Sequence, residues 1–248
     1  SAEHLREASA LARRLGVPLL IHLAEDMSEV EQILDRTGRR PVEYLDDLGV
    51  LEDRVLAAHM VWPSPDEIGL LAERGVGVAH CPQSNMKVAA GVAPVAALLA
   101  AGVEVGLGTD GPASNNDLDL WEEVDTAAKL QKLVTSDPTV LSAREALAMA
   151  TIGGARALDM DDEIGSIEAG KRADLVIVDP GGFHQRPLYD PYSTLVYSTK
   201  ASDVETVIVD GRVLVDAGRL AVDRDLDERL AGYRDALIER VGRAARAD

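Results

Sequence analysis

Apolar and polar positions alternate in two different rhythms along the 248 residues. From the first residue to about 160, apolar runs of strand length are separated by stretches whose apolar positions recur at helical spacing. Leu5, Ala8, Leu11, Ala12 and Leu15 form one such helical face, and Gly16 stops it. "VPLLIHLA" (17–24) then reads as a buried strand. "DMSEVEQILDRTG" (26–38) reads as a helix with Ser28 as N-cap candidate and Gly38 as its stop. "RVLAAHMVW" (54–62) is the next strand, and "SPDEIGLLAERG" (64–75) the next helix, with Pro65 at a favoured early position. "VGVAHCPQSN" (76–85) is a strand ending at Pro82, followed by a helix over 92–102 and a strand over 103–110. One helix each is predicted over 118–134 and 142–158. Near-continuous apolar strands separated by amphipathic helices indicate an α/β fold with a parallel sheet covered on both faces.

After residue 160 the rhythm changes. Residues 161–220 carry glycine-punctuated β segments, "DDEIGSIEAGKRADLVIVDP" and "VETVIVDGRVLVDAGRL", with hairpin-turn chemistry at Asp210-Gly211. Residues 221–248 read as an amphipathic, charged helix. Three regions follow: 1–160, 161–220 and 221–248.

Composition narrows the class. Aromatic residues make up 3% of the chain, so Val, Leu, Ile and Ala must do the packing. The net charge of −18 argues against nucleic-acid phosphate or an anionic membrane as partner. Arginine far outnumbers lysine; an acidic, Lys-poor surface suits a salt-rich cytoplasm, though GC-rich coding produces the same bias. The single cysteine, Cys81, rules out an internal disulfide framework and fits a reducing, cytoplasmic compartment. No run is long and apolar enough to span a bilayer, and the opening residues lack the signal-peptide pattern. The chain opens inside a helix and not on Met, which points to a fragment or processed product.

Four strands of the first region end in a residue able to bind metal or move protons: His22, His59, His80 and Asp110. Singly, each has a dull explanation, a hydrogen-bonded core histidine or a turn aspartate. Their recurrence at one topological position, the carboxyl ends of parallel strands, marks a candidate active-site face. Gly108 and Gly111-Pro112 end the last strand so that Asp110 tops it. His22 and Glu25 are three apart and would face opposite ways on an unbroken strand; they converge only if the strand stops near Leu23. Glu25 alternatively reads as a helix N-terminal acid.

"IHLAED", "AAHMVW", "AHCPQSNMKVAAG", "GLGTDGPASNNDLDLWEE", "ATIGGARAL", "GSIEAGKRADLVIVD" and "VIVDGRVLV" together resemble the amidohydrolase superfamily, and within it the 5-methylthioadenosine/S-adenosylhomocysteine deaminases and their triazine-hydrolase relatives. The resemblance runs from about residue 21 to about 220. It implies a mononuclear zinc hydrolase on a (β/α)8 TIM-type barrel with a small β-sandwich. Residues 1–160 would be strands five to eight of the barrel, and 161–220 the C-terminal share of the sandwich. His22 and Asp110 would be metal ligands, holding zinc or alternatively ferrous iron. Asp110 would also accept a proton from the nucleophilic water, Glu25 would protonate the ring nitrogen beside the attacked carbon, and His59 would hydrogen-bond the nucleophile or tetrahedral intermediate. His80, Ser84 and Asn85 would shape the substrate pocket, with Glu25 and Asp110 also touching substrate.

The family takes two further zinc ligands from a His-x-His pair, which this sequence lacks; His4 lies in the opening helix and His184 in the "GGFHQRP" connection. Two protein ligands fall short of the usual three. By itself the chain is therefore expected to hold zinc weakly and to need an N-terminal barrel half, from the same or a separate chain; a homo-oligomer is also expected. The function implied is zinc-dependent deamination of an adenine nucleoside thioether, releasing ammonia. Alternatives are hydrolysis of another amino- or halo-substituted N-heterocycle (guanine, a pterin, a triazine) or a non-catalytic barrel fragment. The zinc cytidine-deaminase pattern is absent because Cys81 is alone, and no Walker-type loop occurs.

Overall fold

The computed structural model describes residues 1–221 and 226–244. They form two compact units, Ser1–Arg172 with Pro180–Ala201, and Ala173–Asp179 with Ser202–Asp248. The division differs from the sequence-based boundary at 160: residues up to Arg172, and the connection over Pro180–Ala201, group with the first unit.

In the first unit, β1 (Leu19–Leu23), β2 (Val55–His59), β3 (Gly77–His80) and β4 (Val105–Leu107) form one parallel sheet in chain order. Around it lie α1 (Ala2–Leu15), α2 (Met27–Thr37), α3 (Pro41–Asp47), α4 (Pro65–Arg74), α5 (Pro82–Lys87), α6 (Val95–Ala100), α7 (Pro112–Asn115), α8 (Leu120–Thr135), α9 (Ala143–Met149), α10 (Ile152–Ala157) and α11 (Pro191–Tyr197). The core forms where sheet meets helices: Val55, Ala57, Val78 and Val105 pack with Leu71, Leu98, Val124, Ala127, Ala128 and Met149. Small aliphatic side chains supply this interior, as the scarcity of aromatics requires.

The chain's own stop signals set the helix ends. Gly16, Gly38 and Gly75 take left-handed φ values of 66°, 71° and 65° and close α1, α2 and α4. Ser64 and Glu67 form a reciprocal capping box at the start of α4. At α2 the cap is Asp26, not Ser28: the Asp26 carboxylate accepts the Glu29 N–H at 3.0 Å, and Ser28 Oγ donates to the same carboxylate.

Two elements depart from expectation. The strand predicted to end at Pro82 ends at His80, and Pro82 opens a short helix, α5, that the pattern does not predict, so Ser84 and Asn85 sit on a helical turn. The single helix predicted over 142–158 is two, α9 and α10, broken at Ala150–Thr151. The break lets α10 lie directly on the sheet through glycine. A Cβ on Gly106 would meet Gly154 Cα at 2.7 Å, and one on Gly77 would meet the Ala157 carbonyl oxygen at 2.1 Å.

In the second unit, β5 (Leu175–Val178), β6 (Val204–Val209), β7 (Arg212–Asp216) and β8 (Arg219–Leu220) form an antiparallel sheet in sequence order. Asp210 and Gly211, both at positive φ (50° and 73°), make the predicted tight turn between β6 and β7. Residues 161–172, grouped with the β segments in the sequence, are turns. α12 (Leu226–Ala244) is the expected charged helix; residues 222–225 and 245–248 of that predicted region lie outside the described ones. No described helix is long and apolar enough to cross a membrane.

Candidate metal centre

The parallel register aligns the carboxyl ends of the strands, with Leu23 opposite His59 and His80 opposite Leu107. The chain then leaves three of the strands abruptly. Ala24 (φ 49°), His59 (φ 74°), Met60 (φ 45°) and Asp110 (φ 60°) all occupy the left-handed region, which costs a side-chain-bearing residue ~1 kcal/mol or more. That backbone bends three different strand ends toward one point.

His22, His59 and Asp110 meet there, each offering one donor atom, all within 4.8 Å of one another. His22 Nε2 lies 3.6 Å from Asp110 Oδ1, and the two imidazole rings stack with centroids 5.0 Å apart. His22 is exposed on the edge strand β1, while His59 is wholly buried. His59 Nδ1 lies 2.8 Å from Asn85 Oδ1, an acceptor, so Nδ1 carries a proton toward it. The His59 Nε2 is buried and has no hydrogen-bond partner among the described residues.

Asp110 is held just as firmly. Ser84 Oγ donates to its Oδ2 at 2.8 Å and Ser114 Oγ to the same oxygen at 2.5 Å, leaving Oδ1 toward the imidazoles. Desolvation pushes its pKa up, but Ser114, Ser84, the Gly111 N–H and the nearby His59 outweigh it and bring the group down to about 2. Asp110 is therefore a carboxylate at every ordinary pH.

Glu25 stands beside the cluster, its Oε1 3.9 Å from His59 Nε2. The strand does end at Leu23, which resolves the three-residue spacing in favour of convergence. The turn is pinned by Glu29, whose carboxylate accepts the Ala24 and Glu25 N–H groups at 3.1 and 2.9 Å. Burial raises the Glu29 pKa, and those two hydrogen bonds oppose the rise.

His80, Ser84 and Asn85 are buried. Neither His80 ring nitrogen has a hydrogen-bond partner among the described residues, and burial, with help from His59, pushes its pKa down to about 3. Ser84 and Asn85 turn their side chains to Asp110 and His59. The sequence reading gives His59 a hydrogen-bonding role toward the nucleophile; the structure groups it with His22 and Asp110 as residues whose donor atoms could hold a metal. Two residues are not singled out by the sequence: Ser114, a second hydroxyl on Asp110, and Glu29, the pin of the turn. "ASNND" and "SEVE" look like ordinary turn and cap residues, and only the fold brings Ser114 and Glu29 to the site. A separate concavity of about 330 Å³, lined by Pro18, Arg54, Gly75, Arg156 and Asp159, lies at the opposite, amino-terminal ends of the strands.

The sequence profile of the amidohydrolase family matches residues 1–214. The chain belongs to this family. It is 51% identical over 219 residues to a 5-methylthioadenosine/S-adenosylhomocysteine deaminase from Thermodesulfovibrio yellowstonii, covering 88% of this chain and 50% of the relative. It is 50% identical to a 5'-deoxyadenosine deaminase from Methanothermobacter thermautotrophicus, covering 90% of this chain and 52% of the relative. Among solved structures it resembles an adenosine deaminase from Xanthomonas campestris with bound zinc: TM-score 0.91, 42% identity, 95% of this chain and 53% of that one. A zinc complex of atrazine chlorohydrolase from Arthrobacter aurescens follows at TM-score 0.87 and 32% identity, over 96% of this chain and 52% of that one. The chain thus spans about half the length of the relatives it matches, and its fold is the α/β, TIM-barrel type of this family.

Proposed function

We propose that the protein is a zinc-dependent aminohydrolase that deaminates an adenine nucleoside with a 5'-thioether or 5'-deoxy group, such as 5-methylthioadenosine or S-adenosylhomocysteine. The observation that carries this reading is the meeting of His22, His59 and Asp110, each with a donor atom within 4.8 Å of the others, where the Nε2 of His59 is buried and unpartnered among the described residues. A buried polar atom without a partner is costly, and two imidazoles with a carboxylate form a donor set that suits zinc. Relatives of about 50% identity named as deaminases of such nucleosides support the substrate class. The parallel sheet would correspond to strands five to eight of the family's (β/α)8 barrel, and the antiparallel sheet to a share of its sandwich. On this reading, further strands and ligands belong to the part of such proteins that this chain does not match.

When bound, zinc supplies Lewis acidity that brings the ionisation of water toward neutrality. His22 Nε2, His59 Nε2 and Asp110 Oδ1 are the atoms that would hold it, and ferrous iron would suit the same donors. Asp110 then accepts the proton of the attacking water, with Ser84 and Ser114 keeping the carboxylate in place. Glu25, on the pinned turn beside His59, donates a proton to the ring nitrogen next to the amine-bearing carbon, which makes that carbon electrophilic. Asp110 then passes its proton to the amine, which leaves as ammonia, and the hydroxyl proton of the intermediate returns to Glu25 as the carbonyl forms. Asn85 holds the His59 ring through Nδ1, and the buried His80 would shape the substrate pocket.

Testing the full coding product, zinc-loaded, against a panel decides between substrates. Loss of the adenine absorbance with adenosine thioethers, and none with guanine, pterins or triazines, is the expected result. Turnover of a triazine or guanine alone would replace the nucleoside reading with the heterocycle alternative, which the resemblance to atrazine chlorohydrolase keeps open.

A further inference from the structure

Glu123 is fully buried on the first turn of α8 and is not a member of the donor cluster. Its carboxylate is divided between two other elements. Oε2 accepts the backbone N–H of Gln83, in the first turn of α5, at 3.1 Å; Oε1 accepts Nδ2 of Asn115, the last residue of α7, at 2.6 Å. The next residue after Gln83 is Ser84 and the one before Asn115 is Ser114, the two hydroxyls that hold Asp110 Oδ2. Asn85, one position further, fixes His59. Both arms from one buried carboxylate therefore converge on Asp110, and one continues to the imidazole.

A carboxylate in that place is expensive. Burial pushes its pKa up to about 7, the Gln83 and Asn115 hydrogen bonds pulling it back and Asp117 and Glu122 adding to the rise. An apolar side chain would avoid this penalty but leave the Gln83 N–H and Asn115 Nδ2 without an acceptor, so what Glu123 supplies is the tie between α5 and α7.

We propose that Glu123 is a positioning residue that aligns Asp110 and His59 by tying α5 to α7, without itself touching substrate or metal. The proposal rests on the cluster being the aminohydrolase metal centre.

The hydrogen-bond polarity supplies the test. In Glu123→Gln the new amide can keep one acceptor for Gln83, but its NH2 then confronts the Asn115 NH2. Asn115 cannot invert, because its Oδ1 already accepts the Leu118 N–H at 2.7 Å. Adding Asn115→Asp restores a donor facing an acceptor at the same net charge, with the second Asp oxygen still serving Leu118. In the zinc-loaded full coding product, Glu123→Gln should lower both zinc affinity and kcat by about 10- to 100-fold with KM nearly unchanged. The double variant should recover both to within roughly threefold of wild type. Wild-type zinc affinity and kcat in Glu123→Gln would overturn the proposal, as would losses in both variants that simply track a fall in Tm. Should the wild type bind zinc yet deaminate nothing in the panel, the functional reading fails alone, and zinc affinity across the two variants still decides the role of Glu123. A wild type that binds no zinc removes both.

Discussion

Asp110 combines two constraints that an isolated aspartate would not meet: a left-handed backbone and two hydroxyl donors on one carboxylate oxygen. Asp110→Asn keeps the shape but replaces an acceptor by an amide that faces either the serines or the imidazoles. Turnover should fall by about a thousandfold or more, with the far-UV spectrum unchanged. Near-normal kcat would remove its role as proton acceptor. His80 offers a second single-residue test, this time of stability. Its folded pKa of about 3 lies below the ordinary 6.5, so as pH falls the unfolded chain takes up the proton first. Stability is therefore lost progressively from about pH 6.5 down to about 3, and between pH 6.5 and 5 the loss should be roughly 2 kcal/mol. Because neither ring nitrogen is hydrogen-bonded to a described residue, His80→Leu should flatten that slope in urea titrations at several pH values. An unchanged slope would show that His80 is already protonated or solvated in the folded state. At this scale the residue types were legible in the sequence, since His22, His59 and Asp110 each follow an apolar run. Their partners were not, because Ser114 and Glu29 carry no signal until the turns place them.

Among the elements, the strands and most helices follow from periodicity, and glycine in the left-handed region closes α1, α2 and α4 where the sequence says it should. Two boundaries moved for physical reasons. Pro82 cannot continue a ladder but suits the first turn of a helix, so α5 begins there and carries Ser84 and Asn85 to the site. The helical period over 142–158 continues across its break, so pattern alone cannot see that the chain must bend to seat α10 on β3 and β4. Gly77 is the contact that makes this seating close. Gly77→Ala would force a methyl to within 2.1 Å of the Ala157 carbonyl oxygen, and neither backbone can retreat without separating α10 from the sheet. The expected cost is about 3 kcal/mol, read as a drop in the urea midpoint. A midpoint within error of wild type would mean that α10 is not fixed to the strand.

For the molecule as a whole, the bond between metal and fold is the measurable quantity. A ligand that binds the folded state alone stabilises it by mass action, so zinc at a hundredfold excess over its Kd should add about 2.7 kcal/mol, seen as a higher Tm that a chelator reverses. A Tm indifferent to zinc and chelator would argue that the three donors do not bind it. The sequence by itself determined the alternation of strand and helix, the β segments within 175–220, the tight turn at Asp210-Gly211 and the strand-end positions of His22, His59 and Asp110, because each is a local matter of period, capping or side-chain type. Only the tertiary structure decided that His59 meets His22 and Asp110 at one point, that Ser84 and Asn85 turn to Asp110 and His59, and that Pro180–Ala201 packs with the first unit. These depend on the directions in which side chains leave strand ends bent to positive φ, and on distances between residues far apart in the chain, which no pattern of neighbours along the sequence encodes.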